Sequence, residues 1–192
     1  MDREAGPVGC HAQRFGISVF MNIVLIGYRG TGKSSVGKML AIRLGRTLVS
    51  TDAEIVRRTG KSIVEIVGQE GWERFRDVES EVCRDFSGSD RLVIDTGGGA
   101  ILRPENTRAL KENGRVFWLT ASVSTIVERI AGDTQRPSLT GTSSFIDEVQ
   151  GVLRERAPKY EAAADFVVAT DDRPIDSVIQ EITRCLDGIC EQ

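Results

Sequence analysis

The sequence of 192 residues contains little histidine and no closely paired cysteines. His11 is its single histidine, and its four cysteines (Cys10, Cys83, Cys185 and Cys190) form no C-x-x-C pair. A metal site built from Cys and His ligands needs such clusters, so the sequence argues against one. We therefore expect reduced cysteines in a cytoplasmic protein.

The chain also lacks long apolar runs and a strong excess of one charge. No apolar stretch approaches the roughly 20 residues of a membrane span, so no membrane partner is expected. The 25 Lys and Arg residues are balanced by 28 Asp and Glu, for a formal net charge of −3. Because a nucleic-acid surface needs a basic excess, no nucleic-acid partner is expected either.

The first 20 residues differ from the rest of the chain. They have no periodicity and lack the basic start and apolar stretch of a secretory signal, and Met21 stands directly before the first strand pattern. We expect residues 1–20 to be a disordered extension or the product of an upstream start codon. No repeat or linker divides residues 21–192, which predicts a single domain.

The strongest pattern in the chain lies at residues 22–35. The apolar run 23–26 predicts a buried strand, and a helical pattern begins near Lys33. Between them, the spacing G-x-x-x-x-G-K-S at 27–34 matches the phosphate-binding P-loop.

Each residue type in this loop suits a polyphosphate. Glycines let backbone N–H groups turn toward the phosphates, and the positive end of the following helix faces the same group. Lys33 supplies a mobile positive charge, and Ser34 offers a hydroxyl to Mg²⁺. The loop therefore predicts a site for a phosphate chain with Mg²⁺.

Short apolar strands alternate with helices along the chain, which predicts an α/β fold with a parallel sheet covered on both faces. Strands are predicted at 22–27, 47–50, 92–95, 116–119 and 166–169. Helices are predicted at about 33–44, 52–58, from 62, 72–86, 104–112, 122–131, 145–160 and 175–186. Ligands of such sheets bind beyond the carboxyl ends of the strands, so polar residues at these ends are informative.

Three polar features follow predicted strands. Asp52 is either a helix N-cap or a catalytic carboxylate, and its position alone leaves both interpretations open. Asp95 is either a turn acid or the acid that holds Mg²⁺, directly or through water, in P-loop proteins. The triplet Gly97, Gly98 and Gly99 indicates a wall that approaches a ligand closely.

Two patterns involve arginine. Arg76 and Glu79 are three residues apart on one helix, and this spacing alone favours a surface ion pair. Residues 132–144 are rich in Gly, Thr and Ser and lack periodicity, which indicates a mobile loop. Arg136, followed by Pro137, predicts that this loop is a lid that brings a guanidinium to the phosphates.

In combination, these residues make the chain resemble the shikimate kinase family from Met21 to Leu186. The ordered set is far more specific than the P-loop alone. Its members are the loop at 27–35, Asp52 with Ile55, Gly60 and Ile63, Phe75-Arg76 with Glu79, the triplet 97–99, Arg129 with Arg136-Pro137, and Arg156 with Pro158 and Tyr160.

The resemblance implies a P-loop, nucleoside-monophosphate-kinase-like fold of three layers, with five parallel strands in the order 2-3-1-4-5. It implies substrate-binding helices at about 52–86 and a lid at about 132–144. The implied reaction transfers the γ-phosphoryl group of ATP to the 3-hydroxyl of shikimate in aromatic amino-acid biosynthesis, with Mg²⁺ as cofactor and a monomeric protein.

The resemblance also implies residue roles. Asp52, Lys33 and Arg136 would be catalytic, and Ser34 would bind the metal, with Asp95 acting through water. The implied ATP site comprises Gly30, Thr31, Gly32, Lys33, Ser34, Ser35, Arg129, Arg136, Arg173 and Pro174. The implied shikimate site comprises Asp52, Arg76, Gly97, Gly98, Gly99 and Arg156.

The chain departs from the family pattern near the metal. Ser50 stands where the family usually has an acid, and Asp95 stands where it commonly has a small residue. Our hypothesis is that the acid has moved from the end of the second strand to the end of the third. Ser138 also replaces an apolar lid residue.

Two alternatives stay open at this point. One is a kinase of the same fold for another small hydroxy acid, such as quinate or gluconate. The other is a non-catalytic nucleotide-binding homologue, for which Ser50 is the one favourable feature.

Overall fold

The computed structural model describes residues 21–131 and 145–188. Within these ranges, five strands form one parallel sheet: β1 Asn22–Ile26, β2 Thr47–Ser50, β3 Leu92–Asp95, β4 Gly114–Thr120 and β5 Phe166–Ala169. Their order is β2-β3-β1-β4-β5, which confirms the expected fold. The predicted extension and the predicted lid lie outside the described residues.

Helices cover both faces of the sheet. They are α1 Lys33–Leu44, α2 Thr51–Thr59, α3 Ile63–Ser87, α4 Pro104–Glu112, α5 Val123–Ile130, α6 Phe145–Ala163 and α7 Ile175–Leu186. The 3₁₀ turn Ala100–Leu102 was not predicted from the sequence. None of the helices in the described ranges has the length and apolar character that a bilayer span requires.

The core consists of two main clusters, one on each face of the sheet. Ile23 and Leu25 of β1 pack against α1 and α7 on one face. Val24 and Ile26 pack on the other face, against α3, α4 and α6. Successive side chains of a strand point to opposite faces, and both faces are buried here, so β1 is apolar at every position from Ile23 to Ile26.

Helix α3 contains a break that the sequence predicted as a boundary between two helices. Gly71 has φ 85° and ψ 169°, a conformation that favours glycine. Before the break, Ser62 and Glu65 form a reciprocal capping box at the start of the helix. After it, the helix presents Phe75 and Glu79 to the carboxyl edge of the sheet.

The carboxyl end of α6 extends beyond its predicted end. The helix passes Pro158 and Tyr160 and ends at Ala163. Tyr160 and Ala163 are both buried in the cluster that also contains Val24. We infer that this packing stabilises the last turn against the loss of a hydrogen bond at proline.

Candidate active site

The loop between β1 and α1 has the geometry of an anion cradle. Gly32 stands at the N-cap of α1 with φ 89°, and within the described residues no side chain caps that helix. The first N–H groups of α1 are therefore available to an anion. A Cβ on Gly30 would lie 2.8 Å from Ile130 Cγ2, so the loop packs too closely on α5 for a side chain there.

Lys33 and Ser34 begin α1 at the floor of this cradle. The Lys33 ammonium donates to the carbonyl oxygens of Gly27 at 2.8 Å and Tyr28 at 2.9 Å. Ser34 Oγ donates to Asp95 Oδ2 at 2.6 Å. The structure thus joins the P-loop serine to the acid at the end of β3.

Ser50 and Asp95 are direct neighbours across β2 and β3. Ser50 is the N-cap of α2, where its hydroxyl accepts from the N–H of Ala53 at 3.3 Å. Asp52 lies in the first turn of α2. Of its two interpretations, the N-cap is wrong, because Ser50 already occupies that position.

A cavity of about 410 Å³ opens above the P-loop. Arg29, Ser50, Thr96 and Ile130 line it together with predicted residues, which are Gly30, Gly32, Lys33, Ser34, Ser35, Asp52, Asp95 and Arg129. Thr31 instead turns its hydroxyl inward to the carbonyl of Tyr28, at 2.8 Å.

A second cavity lies beside the first and contains all six residues of the expected acceptor site. They are Asp52, Arg76, Gly97, Gly98, Gly99 and Arg156. Six further residues line it that were not assigned to the site from the sequence: Tyr28, Arg29, Ile63, Trp72, Phe75 and Glu79. Tyr28 and Arg29 occupy variable positions of the P-loop spacing, and no pattern singled out Trp72.

Arg76 and Glu79 form a buried ion pair, so the expectation of a surface pair is wrong. Arg76 Nη1 lies 2.5 Å from Glu79 Oε2, and their side chains are 11% and 0% exposed. Burial raises the pKa of Glu79, and the Arg76 charge opposes that rise. The guanidinium also packs on the rings of Trp72 and Phe75.

The glycine triplet is a close wall rather than a flexible turn. A Cβ on Gly99 would overlap with the guanidinium of Arg76. A Cβ on Gly97 would lie 2.5 Å from Asp52 Oδ1 and 3.0 Å from Glu79 Oε1. Because these glycines lack side chains, the charged groups of Arg76, Asp52 and Glu79 can lie directly against the backbone of the triplet.

Helix α6 is fixed to the triplet through Gly98. Its carbonyl oxygen accepts from Arg156 Nη1 at 3.2 Å and from the Tyr160 hydroxyl at 2.5 Å. Tyr160 stacks on Trp118 with 5.6 Å between ring centroids. Burial raises the pKa of Tyr160 to about 12, so it stays a hydrogen-bond donor at neutral pH.

Arg129 and Arg173 both lie near the end of β5. Arg129 donates to the carbonyl of Gly30 at 3.2 Å and to that of Thr170 at 3.0 Å, which ties the P-loop to β5. Arg173 pairs with Glu181 at 2.6 Å.

Pro174 is the N-cap of α7, and neither it nor Arg173 lines the cavity above the P-loop. Arg136 lies outside the described residues.

The site joins an uncapped phosphate cradle to a second cavity with two arginines and a carboxylate. This arrangement defines a P-loop phosphotransferase with a place for a small anionic acceptor.

Comparison with known proteins gives the family. The profile of the family described as "Shikimate kinase" matches residues 29–187, and the chain belongs to the shikimate kinase family. It is 44% identical over 167 residues to the shikimate kinase of Nitratidesulfovibrio vulgaris, covering 85% of this chain and 94% of that protein. Like its relatives, it is a kinase that uses ATP as a co-substrate.

Solved structures show the same relationship. Shikimate kinase from Acinetobacter baumannii in complex with shikimate has a TM-score of 0.84 and 32% identity, over 91% of this chain and 97% of that chain. A gluconokinase from Sinorhizobium meliloti has a TM-score of 0.55 and 20% identity, over 88% of this chain and 93% of that one. The second likeness shows the fold alone.

Proposed function

We propose that this protein transfers the γ-phosphoryl group of ATP to the 3-hydroxyl of shikimate, giving shikimate 3-phosphate and ADP in chorismate and aromatic amino-acid biosynthesis. The observation that carries the proposal is the convergence of Asp52, Arg76 and Arg156 in a cavity beside the P-loop. That set suits an acceptor with one carboxylate and several hydroxyls.

The two kinds of charge in the acceptor cavity have different roles. Arg76 and Arg156 bind the shikimate carboxylate, because guanidinium groups pair with carboxylates through two hydrogen bonds. Gly98 donates its backbone N–H to the same carboxylate. Asp52 binds the hydroxyls and accepts the proton that leaves when the new P–O bond forms.

The nucleotide is held mainly by the P-loop. The N–H groups at the start of α1 and the Lys33 ammonium bind the phosphates, and Arg129 contributes from α5. By resemblance, Arg136 closes over the phosphates, and Arg173 and Pro174 lie near the adenine. Positioning and neutralisation of charge supply most of the catalysis in such a transfer.

The residues near Ser34 fit Mg²⁺. Ser34 and Asp95 offer hard oxygen atoms that lie 2.6 Å apart, and Mg²⁺ prefers oxygen ligands, several of them water. When bound, the ion neutralises charge on the phosphates. We propose that Ser34 binds it directly and that Asp95 binds it through water.

The position of the acid can be tested by exchanging it between the strands. Asp95→Ser should weaken the binding of Mn²⁺, used as a spectroscopic substitute, to the ADP complex by about tenfold. The double variant Ser50→Asp with Asp95→Ser should recover affinity, because the two residues are paired across β2 and β3. Unchanged Mn²⁺ affinity in Asp95→Ser would rule out this role for Asp95.

The function itself is tested by ATP-dependent ADP release with shikimate, quinate, gluconate or no acceptor. Release with shikimate alone is the expected result. Release with quinate or gluconate instead would leave the proposed phosphate site unchanged and would assign a different acceptor to the second cavity. If ATP binds but no acceptor stimulates release, the non-catalytic alternative is correct.

We also propose that the protein acts as a monomer in the cytoplasm. A monomer is what the resemblance to the family implies. Light scattering after size exclusion should give a mass near 21.0 kDa. A mass twice as large would refute the monomer.

A further inference from the structure

Two residues line both cavities of the site, Arg29 and Asp52. One cavity contains the phosphate cradle, and the other contains the arginines proposed for the acceptor. These two residues form the wall that the cavities share, and a phosphoryl group transferred from the first cavity to the second must pass beside them. This wall therefore carries one acid and one guanidinium.

The side chain of Arg29 is held in place rather than extended into solvent. It is 13% exposed, and its Nη2 lies 3.8 Å from Oε1 of Glu148, which is 5% exposed. Its guanidinium carbon lies 5.7 Å from the centroid of the Tyr28 ring. The partners come from α6 and from the P-loop itself, so both elements fix the guanidinium.

We propose that Arg29 is a catalytic residue that contacts the phosphoryl group during its transfer, and that Glu148 is a positioning residue for its guanidinium. The inference rests on the proposed function of the site. Negative charge is spread over three equatorial oxygens of the phosphoryl group in the transition state, and a planar guanidinium can bond two of them. Asp52, which lines both cavities, is the proton acceptor in the same wall.

The chemical step balances without a change in the state of Arg29. The bond between the γ-phosphorus and its bridging oxygen breaks, and a bond between that phosphorus and the acceptor oxygen forms. The hydroxyl proton moves to Asp52, and ADP leaves with the electron pair of the broken bond. Arg29 keeps its protons throughout and acts through charge and hydrogen bonds.

Lys33 does not make this contribution redundant. Its ammonium is bonded to the carbonyl oxygens of Gly27 and Tyr28 at the floor of the loop, and Lys33 lines the phosphate cavity but not the acceptor cavity. Of the two P-loop cations, Arg29 is the one that also lines the acceptor cavity. Lys33 is therefore placed to bind the phosphates of the nucleotide, and Arg29 is placed to bind the phosphoryl group during its transfer.

The test compares Arg29→Gln and Arg29→Lys with the unaltered full chain. Arg29→Gln should lower kcat about 100-fold, while the KM for shikimate and the Kd for ADP change less than about twofold. Arg29→Lys should recover part of kcat, since it keeps the charge but loses the fork. Calorimetry with Mg-ADP, aluminium fluoride and shikimate, a mimic of the transition state, should show lost affinity in Arg29→Gln.

Two further variants separate catalysis from structure. Arg58→Gln is the matched control, since Arg58 pairs with Glu54 and Asp85 outside both cavities and should leave kcat unchanged. Glu148→Gln should lower kcat by about tenfold with an unchanged Kd for ADP, as expected when the guanidinium is less well placed.

Two results would overturn the role of Arg29. One is an unchanged kcat in Arg29→Gln, and the other is an equal loss of kcat and ADP affinity together with a lower Tm, which a purely structural residue would give. A wild-type protein inactive with shikimate would instead refute the proposed function and this role with it.

Discussion

At Gly99, the lack of a side chain leaves room for the guanidinium of Arg76, because a Cβ there would overlap with it. Gly99→Ala should displace Arg76 and weaken its proposed pairing with the acceptor carboxylate. A charge-assisted hydrogen bond contributes about 1.5–3 kcal/mol. We therefore expect the KM for shikimate to rise about 10- to 100-fold, with the Kd for ADP unchanged.

The control for this change is a glycine with open space around it. A Cβ on Gly68 of α3 meets no atom within 4 Å, so Gly68→Ala should leave both constants unchanged. Steady-state kinetics on the two variants decide the point. An unaltered KM in Gly99→Ala would show that Arg76 does not bind the acceptor.

Glu79 predicts a dependence of stability on pH. Burial raises its pKa in the folded protein above the usual value of 4.5. The folded state therefore binds the proton more tightly than the unfolded chain, and the free energy of unfolding falls as the pH rises from 4.5 through the folded pKa. Glu79→Gln removes this contribution, so its unfolding free energy should decline less over that range.

Urea denaturation between pH 4.5 and 8 measures the effect. Glu161→Gln serves as the control because Glu161 is exposed. If Glu79→Gln and the control follow the same curve as the unaltered protein, the buried carboxyl does not retain its proton.

At the residue scale, the sequence indicates which residue types can interact but not whether they are buried. The spacing of Arg76 and Glu79 indicates that they can pair, but not which side of the helix faces the sheet. Their pairing was predicted and their burial was missed, because three-residue spacing is the same on a buried face and an exposed one. Arg29 was not predicted as a site residue, because any residue type fits its position in the P-loop spacing.

At the scale of elements, Asn22 ties the start of β1 to the turn between α3 and β3. It is 1% exposed, and its Nδ2 donates to the carbonyl of Ser89 at 2.7 Å. Its Oδ1 accepts from the N–H of Leu92 at 2.9 Å. Asn22→Ala should lower the free energy of unfolding by about 2–3 kcal/mol, because buried backbone groups lose their partners.

A second asparagine offers a matched comparison. Asn113 donates to the same Ser89 carbonyl at 3.0 Å and to Asp90 Oδ1 at 2.8 Å, but both of these hydrogen bonds are exposed to solvent. Asn113→Ala should cost less than about 1 kcal/mol, since water replaces the lost bonds. Urea denaturation of both variants gives the two values, and equal losses would contradict the role assigned to burial.

The elements themselves were mostly predictable from pattern. Apolar runs marked the strands, and glycine or serine marked most helix ends, as with Ser62 and Gly45. The 3₁₀ turn Ala100–Leu102 was missed because three residues carry no period. The sequence places the end of α6 at Tyr160, because the tertiary packing that extends the helix to Ala163 is not displayed by the sequence.

At the scale of the whole molecule, the P-loop lies where the strand order reverses. β1 is flanked by β3 on one side and by β4 on the other. The strands β2 and β3 are therefore added on one side of β1, and β4 and β5 on the opposite side. The phosphate cavity is lined from both sides, by Asp95 at the end of β3 and by Ile130 of α5. A ligand there contacts both halves of the sheet.

Nucleotide that binds the folded state alone should stabilise the protein by mass action. ADP with Mg²⁺ at about 100 times its Kd should add about 2.7 kcal/mol to the free energy of unfolding. For a chain of this size, that corresponds to a rise in Tm of about 5–10 °C. Adenosine at the same concentration lacks the phosphates and should give almost no shift, whereas an equal shift would contradict binding through the P-loop.

Of the two tryptophans of the chain, Trp72 lines the acceptor cavity and Trp118 does not. Trp72 borders the acceptor cavity with its ring 5.4 Å from the Arg76 guanidinium, and Trp118 is stacked on Tyr160 behind it. Since indole emission responds to nearby charge and water, the molecule contains its own optical sensor for the acceptor. In a Trp118→Phe background, Trp72 alone would emit, and its intensity could be followed in a stopped-flow instrument without any added dye.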